Sequence, residues 1–216
     1  MNIKEKIARN VERYLQDEEV VNLGIGIPTI AANYIKEDKN IYLHSENGIL
    51  GVDSIATADN ADPNIVNAGK IPVSVQKGVS YFNSADSFAM IRGGHVDVAV
   101  IGALQVDKNG LVANWNIPGK NVLGVGGAMD LLEGVKKVII ATTHTTKDGK
   151  SKLVEELEYP LTSLRPADLI ITDLGVFEVE EGQLFLIEIL PEATLEEIKD
   201  KTDANFKVKI KETVND

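Results

Sequence analysis

The chain has 216 residues, of which 44% are hydrophobic and 25% charged, with a formal net charge of −11 and no cysteine. This is the make-up of a soluble globular protein with enough chain for one full core, read here as a single domain, 1–216. The acidic balance excludes a nucleic-acid binder, which needs a basic surface to displace counterions; the absence of cysteine excludes disulfides and thiolate chemistry, and three histidines far apart at 44, 95 and 144 do not make a metal cluster.

In chain order, Ile3, Ile7, Val11 and Leu15 recur every four residues among charged neighbours, which predicts an amphipathic opening helix. This start has no apolar core of the signal-peptide kind, and no stretch is long enough to span a bilayer, so a cytoplasmic location without membrane association is expected. A strand over 20–23, a glycine turn over 24–28 and a helix over 29–35 follow, with Pro28 near the helix's first turn. The apolar run at 41–44 reads as the next strand, 53–77 as irregular, 84–91 as a helix and 96–101 as a very apolar strand. A helix over 128–133 precedes strands over 137–141 and 168–172. Apolar strands alternating with helices predict an α/β fold, an open and mostly parallel twisted sheet with helices on both faces. Segments 175–179 and 184–189 flank Glu180-Glu181-Gly182-Gln183, the pattern of a C-terminal antiparallel hairpin, and Thr194-Leu195-Glu196-Glu197 has the spacing of a capping box.

The most informative residue is Glu46. It sits between the buried strand at 41–44 and a glycine turn at Gly48, where a charge is costly unless it works. A carboxylate at neutral pH can act as a nucleophile without a general base, unlike serine or cysteine. Gly124-Val125-Gly126-Gly127-Ala128-Met129-Asp130 lies just before a predicted helix, so its N–H groups either face an anion or let the helix start pack closely. Gly24-Ile25-Gly26-Ile27-Pro28 invites a dinucleotide reading but fails it, because Thr29 stands where the third glycine is needed.

The segment His44-Ser45-Glu46-Asn47-Gly48-Ile49-Leu50-Gly51 resembles the active-site segment of the class I (3-oxoacid) coenzyme A transferases, in their B (beta) subunit. Ile91-Arg92-Gly93-Gly94-His95-Val96-Asp97 and Gly126-Gly127-Ala128-Met129-Asp130 resemble two further family segments, in the same order, and the resemblance covers residues 1 to about 200. The tail 206–216 matches nothing in it. The resemblance implies that Glu46 attacks an acyl-CoA and then carries CoA as a glutamyl thioester, with Gly127 and Ala128 supplying backbone N–H groups nearby. It also implies that Asn22, Gly24, Gly26, Asn47, Gly48, Lys70 and Gly126 line the substrate or CoA site. For Asn22 an amide satisfying a strand end is nearly as good an account, and Lys70 is equally readable as a solvated surface charge. Arg92 and His95 read as closing a turn before a strand, and Asn114, Trp115 and Pro118-Gly119-Lys120 as lining an acyl pocket or, for Trp115, as core. Coenzyme A would be a substrate, with no cofactor and no metal. The implied partner is an A (alpha) subunit, in an A2B2 assembly, and the implied substrates are acyl-CoA and small carboxylic acids. Two other readings use the same chain differently: a CoA thioester hydrolase, which admits water, and a sugar-phosphate-binding or isomerase protein sharing the fold, which has no need of Glu46.

Overall fold

The computed structural model describes residues 2–36, 38–120 and 124–210. Five parallel strands form its centre: β1 (Val20–Leu23), β2 (Tyr42–Ser45), β5 (Val98–Ile101), β8 (Lys137–Ala141) and β10 (Leu169–Ile171), in the order β2-β1-β5-β8-β10. Every residue of β5 is buried, and alternate side chains enter different cores. Val98 and Val100 join Ile139, Ala141, Leu169 and Ile171 on one face, while Ala99 and Ile101 join Val138, Ile140 and Ile170 on the other. A strand covered on both faces reads as an unbroken apolar run, which is how these strands stand out in the sequence.

Helices cover both faces, as expected. On one lie α1 (Ile3–Glu12), which buries Ile7 and Val11, and α2 (Ile27–Ala31), which buries Ala31 and passes into a 3-10 turn at Ala32–Tyr34. Asn2 caps α1: its side chain accepts from the Glu5 N–H while the Glu5 carboxylate accepts from the Asn2 N–H. On the other face lie α3 (Ser84–Arg92), α4 (Ala128–Gly134) and α5 (Leu195–Asp200), burying Ile91, Leu131, Leu132 and Ile198. Thr194 caps α5 through the Glu197 N–H.

Antiparallel strands extend the sheet at both edges. The expected hairpin is β11 (Gly175–Glu180) and β12 (Gln183–Ile189), and β13 (Phe206–Val208) adds in parallel beyond it. Thus part of the unmatched tail is a strand, and residues 211–216 lie outside the described residues. At the opposite edge the expectation of an irregular 53–77 is wrong at both ends. β3 (Ile49–Ile55) and β4 (Val73–Tyr81) pair antiparallel with each other, and β3 pairs with β2. The reason is physical: this pair is largely half-buried or exposed, and its register shifts twice, so neither an apolar run nor a clean alternation marks it. Short β6 (Gln105–Asp107), β7 (Val112–Ala113) and β9 (Leu153–Val154) form a separate three-stranded sheet that no pattern in the sequence announces.

From β1 the sheet grows one way to β2 and the other way to β5, β8 and β10, so the order reverses beside β1. Open α/β sheets leave a crevice outside the carboxyl ends of the strands at such a reversal. Gly24 and Glu46 follow directly on the carboxyl ends of β1 and β2.

Candidate active site

Glu46 is partly exposed, one residue beyond a strand whose last three residues are buried. Among the described residues its hydrogen bond comes from Asn22, whose Nδ2 lies 3.0 Å from Glu46 Oε2. A neutral donor holds the carboxylate in place without neutralising it, as a lysine or arginine would. Asn22 is fully buried on β1, and the same Nδ2 is 3.1 Å from His44 Nδ1 and 3.3 Å from the His44 carbonyl. Asn22 Oδ1 has no hydrogen-bond partner among the described residues, a cost of about 1–3 kcal/mol for a buried acceptor. The side chain is therefore committed to Glu46 rather than arranged for its own satisfaction.

His44 continues the array. Its Nε2 is 3.0 Å from Ser87 Oγ on α3, and its ring stacks on Phe82 at 6.1 Å and 17°. Burial pushes the imidazole down to about 4, so it is neutral at pH 7. Sequence reasoning assigns no role to either His44 or Ser87. His44 carries a faint signal, a polar residue ending an apolar run; Ser87, fully buried on a helix of modest amphipathicity, carries none.

The glycine loop before α4 lies beside Glu46. A Cβ on Gly127 would lie 3.6 Å from Glu46 Cγ and 3.1 Å from the Phe88 ring, so only glycine leaves that contact unstrained. Arg92 stacks over Phe88 at 5.8 Å and bonds Asp130 at 2.6 Å, which ties α3 to α4 and frames the loop. The Gly127 N–H has no acceptor among the described residues, whereas the Ala128 N–H already donates to the Val125 carbonyl at 3.1 Å. Of the two expected donors, Gly127 is the one without an acceptor among the described residues. Gly126, at φ 54°, has no described residue within 4 Å of where a side chain would begin.

Gly24 and Gly26 differ from each other. The Gly24 N–H bonds the Val100 carbonyl at 2.8 Å, where a Cβ would meet the same oxygen at 3.1 Å, so Gly24 closes β1 against β5. Gly26 has φ 97° with nothing around its absent side chain. Asn47 and Gly48, both expected at the ligand, also hold the turn. Asn47 Nδ2 donates to the Val66 carbonyl at 2.7 Å, and a Cβ on Gly48 would lie 1.9 Å from the Phe82 carbonyl oxygen. Ser45 Oγ accepts from the Ala68 N–H at 2.9 Å, which brings the turn at 67–70 over the end of β2. Lys70 rides on that turn at φ 61°, exposed and without an ion pair among the described residues. Trp115 Nε1 donates to the Leu161 carbonyl and Asn114 accepts from Thr162, contacts that tie β7 to the 161–162 segment and include nothing of Glu46. His95 is exposed just after α3.

A carboxylate on a neutral hydrogen bond, beside a glycine loop and at a sheet's reversal point, is an arrangement with the chemical parts for attack on an activated carbonyl. The chain belongs to the coenzyme A transferase family, whose sequence model matches residues 4–201. Within that family it is of the B-subunit type by similarity. It is 50% identical over 206 residues to the beta subunit of the acetate CoA-transferase of Haemophilus influenzae, covering 95% of this chain and 92% of that one. It is 44% identical over 208 residues to the B subunit of the succinyl-CoA:3-ketoacid coenzyme A transferase of Helicobacter pylori, covering 96% and 100%. Among solved structures, an acyl-CoA transferase apoenzyme from Escherichia coli O157:H7 superposes with a TM-score of 0.75 at 25% identity, over 96% of this chain and 42% of that one. Glutaconate coenzyme A-transferase from Acidaminococcus fermentans shares the fold, with a TM-score of 0.70 at 18% identity over 98% and 89%.

Proposed function

We propose that this chain is the catalytic B subunit of a two-subunit enzyme that moves coenzyme A between an acyl-CoA and a short-chain carboxylic or 3-oxo acid, with Glu46 as the covalent carrier. The reading is carried by the Glu46 carboxylate, held by Asn22 at 3.0 Å and flanked by Gly127. An oxygen of Glu46 attacks the thioester carbonyl, the C–S bond breaks, and CoA leaves as a thiolate, giving a mixed anhydride. The thiolate then attacks the glutamyl carbonyl. The anhydride C–O bond breaks, the first acid departs as its carboxylate, and CoA is held as a thioester on Glu46. An incoming acid carboxylate attacks that thioester and expels the thiolate, which takes the acyl group from the new anhydride and frees Glu46. No proton and no ATP are consumed, because each step exchanges one activated carbonyl for another.

The chain's contribution is electrostatic. The Gly127 N–H is the donor for tetrahedral oxyanions, a type of contact whose loss costs about 10²–10³ in rate in well-studied cases. Lys70, exposed on the 67–70 turn, supplies a cation for the CoA phosphates or a substrate carboxylate in an otherwise acidic protein. Water must be kept out, since it would hydrolyse both intermediates, and an A subunit in an A2B2 assembly would close the partly exposed side of Glu46. The relatives' names point to acetate, succinate and 3-oxo acids such as acetoacetate, with butyrate a further member of the same size class. No helix among the described residues is long and apolar enough to cross a membrane, in keeping with a cytoplasmic enzyme.

The test is exchange between acetyl-CoA or succinyl-CoA and a panel of short acids, using the chain assembled with its A subunit. Glu46→Ala should abolish exchange, and full retention would overturn the proposal. A hydrolase would instead release free CoA with no acceptor acid present.

A further inference from the structure

Asn22 Nδ2 faces three acceptors at once: Glu46 Oε2, His44 Nδ1 and the His44 carbonyl. An amide nitrogen carries two hydrogens and its oxygen none. Turning the amide over would set Oδ1 against the carboxylate and the carbonyl, lone pair against lone pair, so the carboxylate fixes which way Asn22 points. That orientation fixes the imidazole in turn. To accept from Asn22, His44 Nδ1 must be bare, which places the ring proton on Nε2, where Ser87 Oγ at 3.0 Å receives it. The ring cannot swing away, because it is 3% exposed and stacked on Phe82. The groups facing the ring, Asn22, Ser87 and Phe82, are all neutral, and the nearest charge reached through them is Glu46 itself.

We infer that His44 and Ser87 are positioning residues for the nucleophile: Ser87 holds the Nε2–H tautomer of His44, His44 Nδ1 holds the Asn22 amide, and Asn22 aims Glu46. The inference rests on the transferase reading of Glu46 for its catalytic consequence, but the tautomer it requires is a property of the protein alone. It assigns a role to a buried imidazole to which sequence reasoning gave none. The array also explains why Asn22 leaves Oδ1 unsatisfied: both of its hydrogens are claimed on the other side.

The direct test is nitrogen NMR of the full chain labelled at its three histidines, with the His44 signal identified by its disappearance in His44→Asn. The expected pattern is a neutral ring with a bare Nδ1 and a protonated Nε2; a proton on Nδ1 would overturn the assignment. Kinetics of the assembled enzyme give a second readout. His44→Leu removes the acceptor at similar bulk and should lower kcat roughly tenfold or more while KM stays within about twofold, as expected when a reacting group is misaimed and substrate binding is intact. His44→Asn places an oxygen near the position of Nδ1 and should recover most of kcat. Unchanged kcat in His44→Leu, or no recovery in a folded His44→Asn, would overturn the inference. Glu46→Gln separates the two readings: if it stays active the transferase reading has failed, and if it is dead while His44→Leu is fully active only the positioning role has failed.

Discussion

Two imidazoles are buried in this molecule, and what surrounds each determines what it can do. His144, 1% exposed, lies between Thr172 Oγ1 at 3.0 Å and Thr202 Oγ1 at 2.9 Å, against Phe177. Each hydroxyl directs its own proton at a backbone carbonyl, Thr172 at Gly175 and Thr202 at Ile198, so both face the ring as acceptors and neither selects one ring nitrogen over the other; these partners end in the core of the fold. His44 lies between a hydroxyl and an amide nitrogen that can only donate, so one tautomer is enforced and the chain of bonds ends on a partly exposed carboxylate. Burial drives both rings down to about 4. A perturbed histidine thus marks function only when its partners lead somewhere; His144 is a packing element and His44 belongs to the site.

What the two rings share is tested by pH. Both folded-state values lie below the ordinary 6.5 of an unfolded histidine, so the unfolded chain binds more protons between about pH 6.5 and 4. Stability from each ring is fully present above about pH 6.5 and is lost as pH falls toward 4, by ~3 kcal/mol per ring at pH 4. Denaturant titrations across that window should show the slope, and replacing either histidine should remove about half of it. A flat profile would contradict the shared burial of the two rings.

Next in size is Gly127→Val. Its side chain would enter the space of Phe88 and Glu46, and a displacement of about 1 Å there should cost on the order of 10²-fold in kcat/KM with an ordinary melting temperature. His144→Leu should do the reverse, destabilising by about 2 kcal/mol through the loss of two buried side-chain hydrogen bonds while kcat holds. An equal fall in kcat would erase the distinction between the two histidines. The smallest effect is expected of Lys70→Ala, a rise of roughly threefold to tenfold in KM for acyl-CoA that shrinks at high salt, as an exposed cation requires.

How much of this is legible in the sequence follows from burial. The bounds of β1 and β8 can be read residue for residue, because strands sealed on both faces leave unbroken apolar runs between polar turns. β3 and β4 are invisible there, since Ser74, Gln76, Lys77 and Ser80 interrupt the apolar pattern in a pair broken by register shifts. In the site, Glu46 and the Gly127 loop are legible through their resemblance to a family. Asn47 and Gly48 share that segment and hold the turn as well, since a motif records what a chain needs without separating chemistry from geometry. The roles of His44 and Ser87 cannot be read from sequence, because their pairing depends on α3 crossing the end of β2, 43 residues away along the chain.

The most direct measurement is mass spectrometry of the assembled enzyme after incubation with an acyl-CoA and no acceptor acid, with the adduct mapped by proteolysis. A covalent carrier at Glu46 predicts the mass of coenzyme A on the peptide that contains it, discharged when an acceptor acid is added and missing in Glu46→Gln. Free coenzyme A accumulating with no adduct, or an adduct on another residue, would contradict that role.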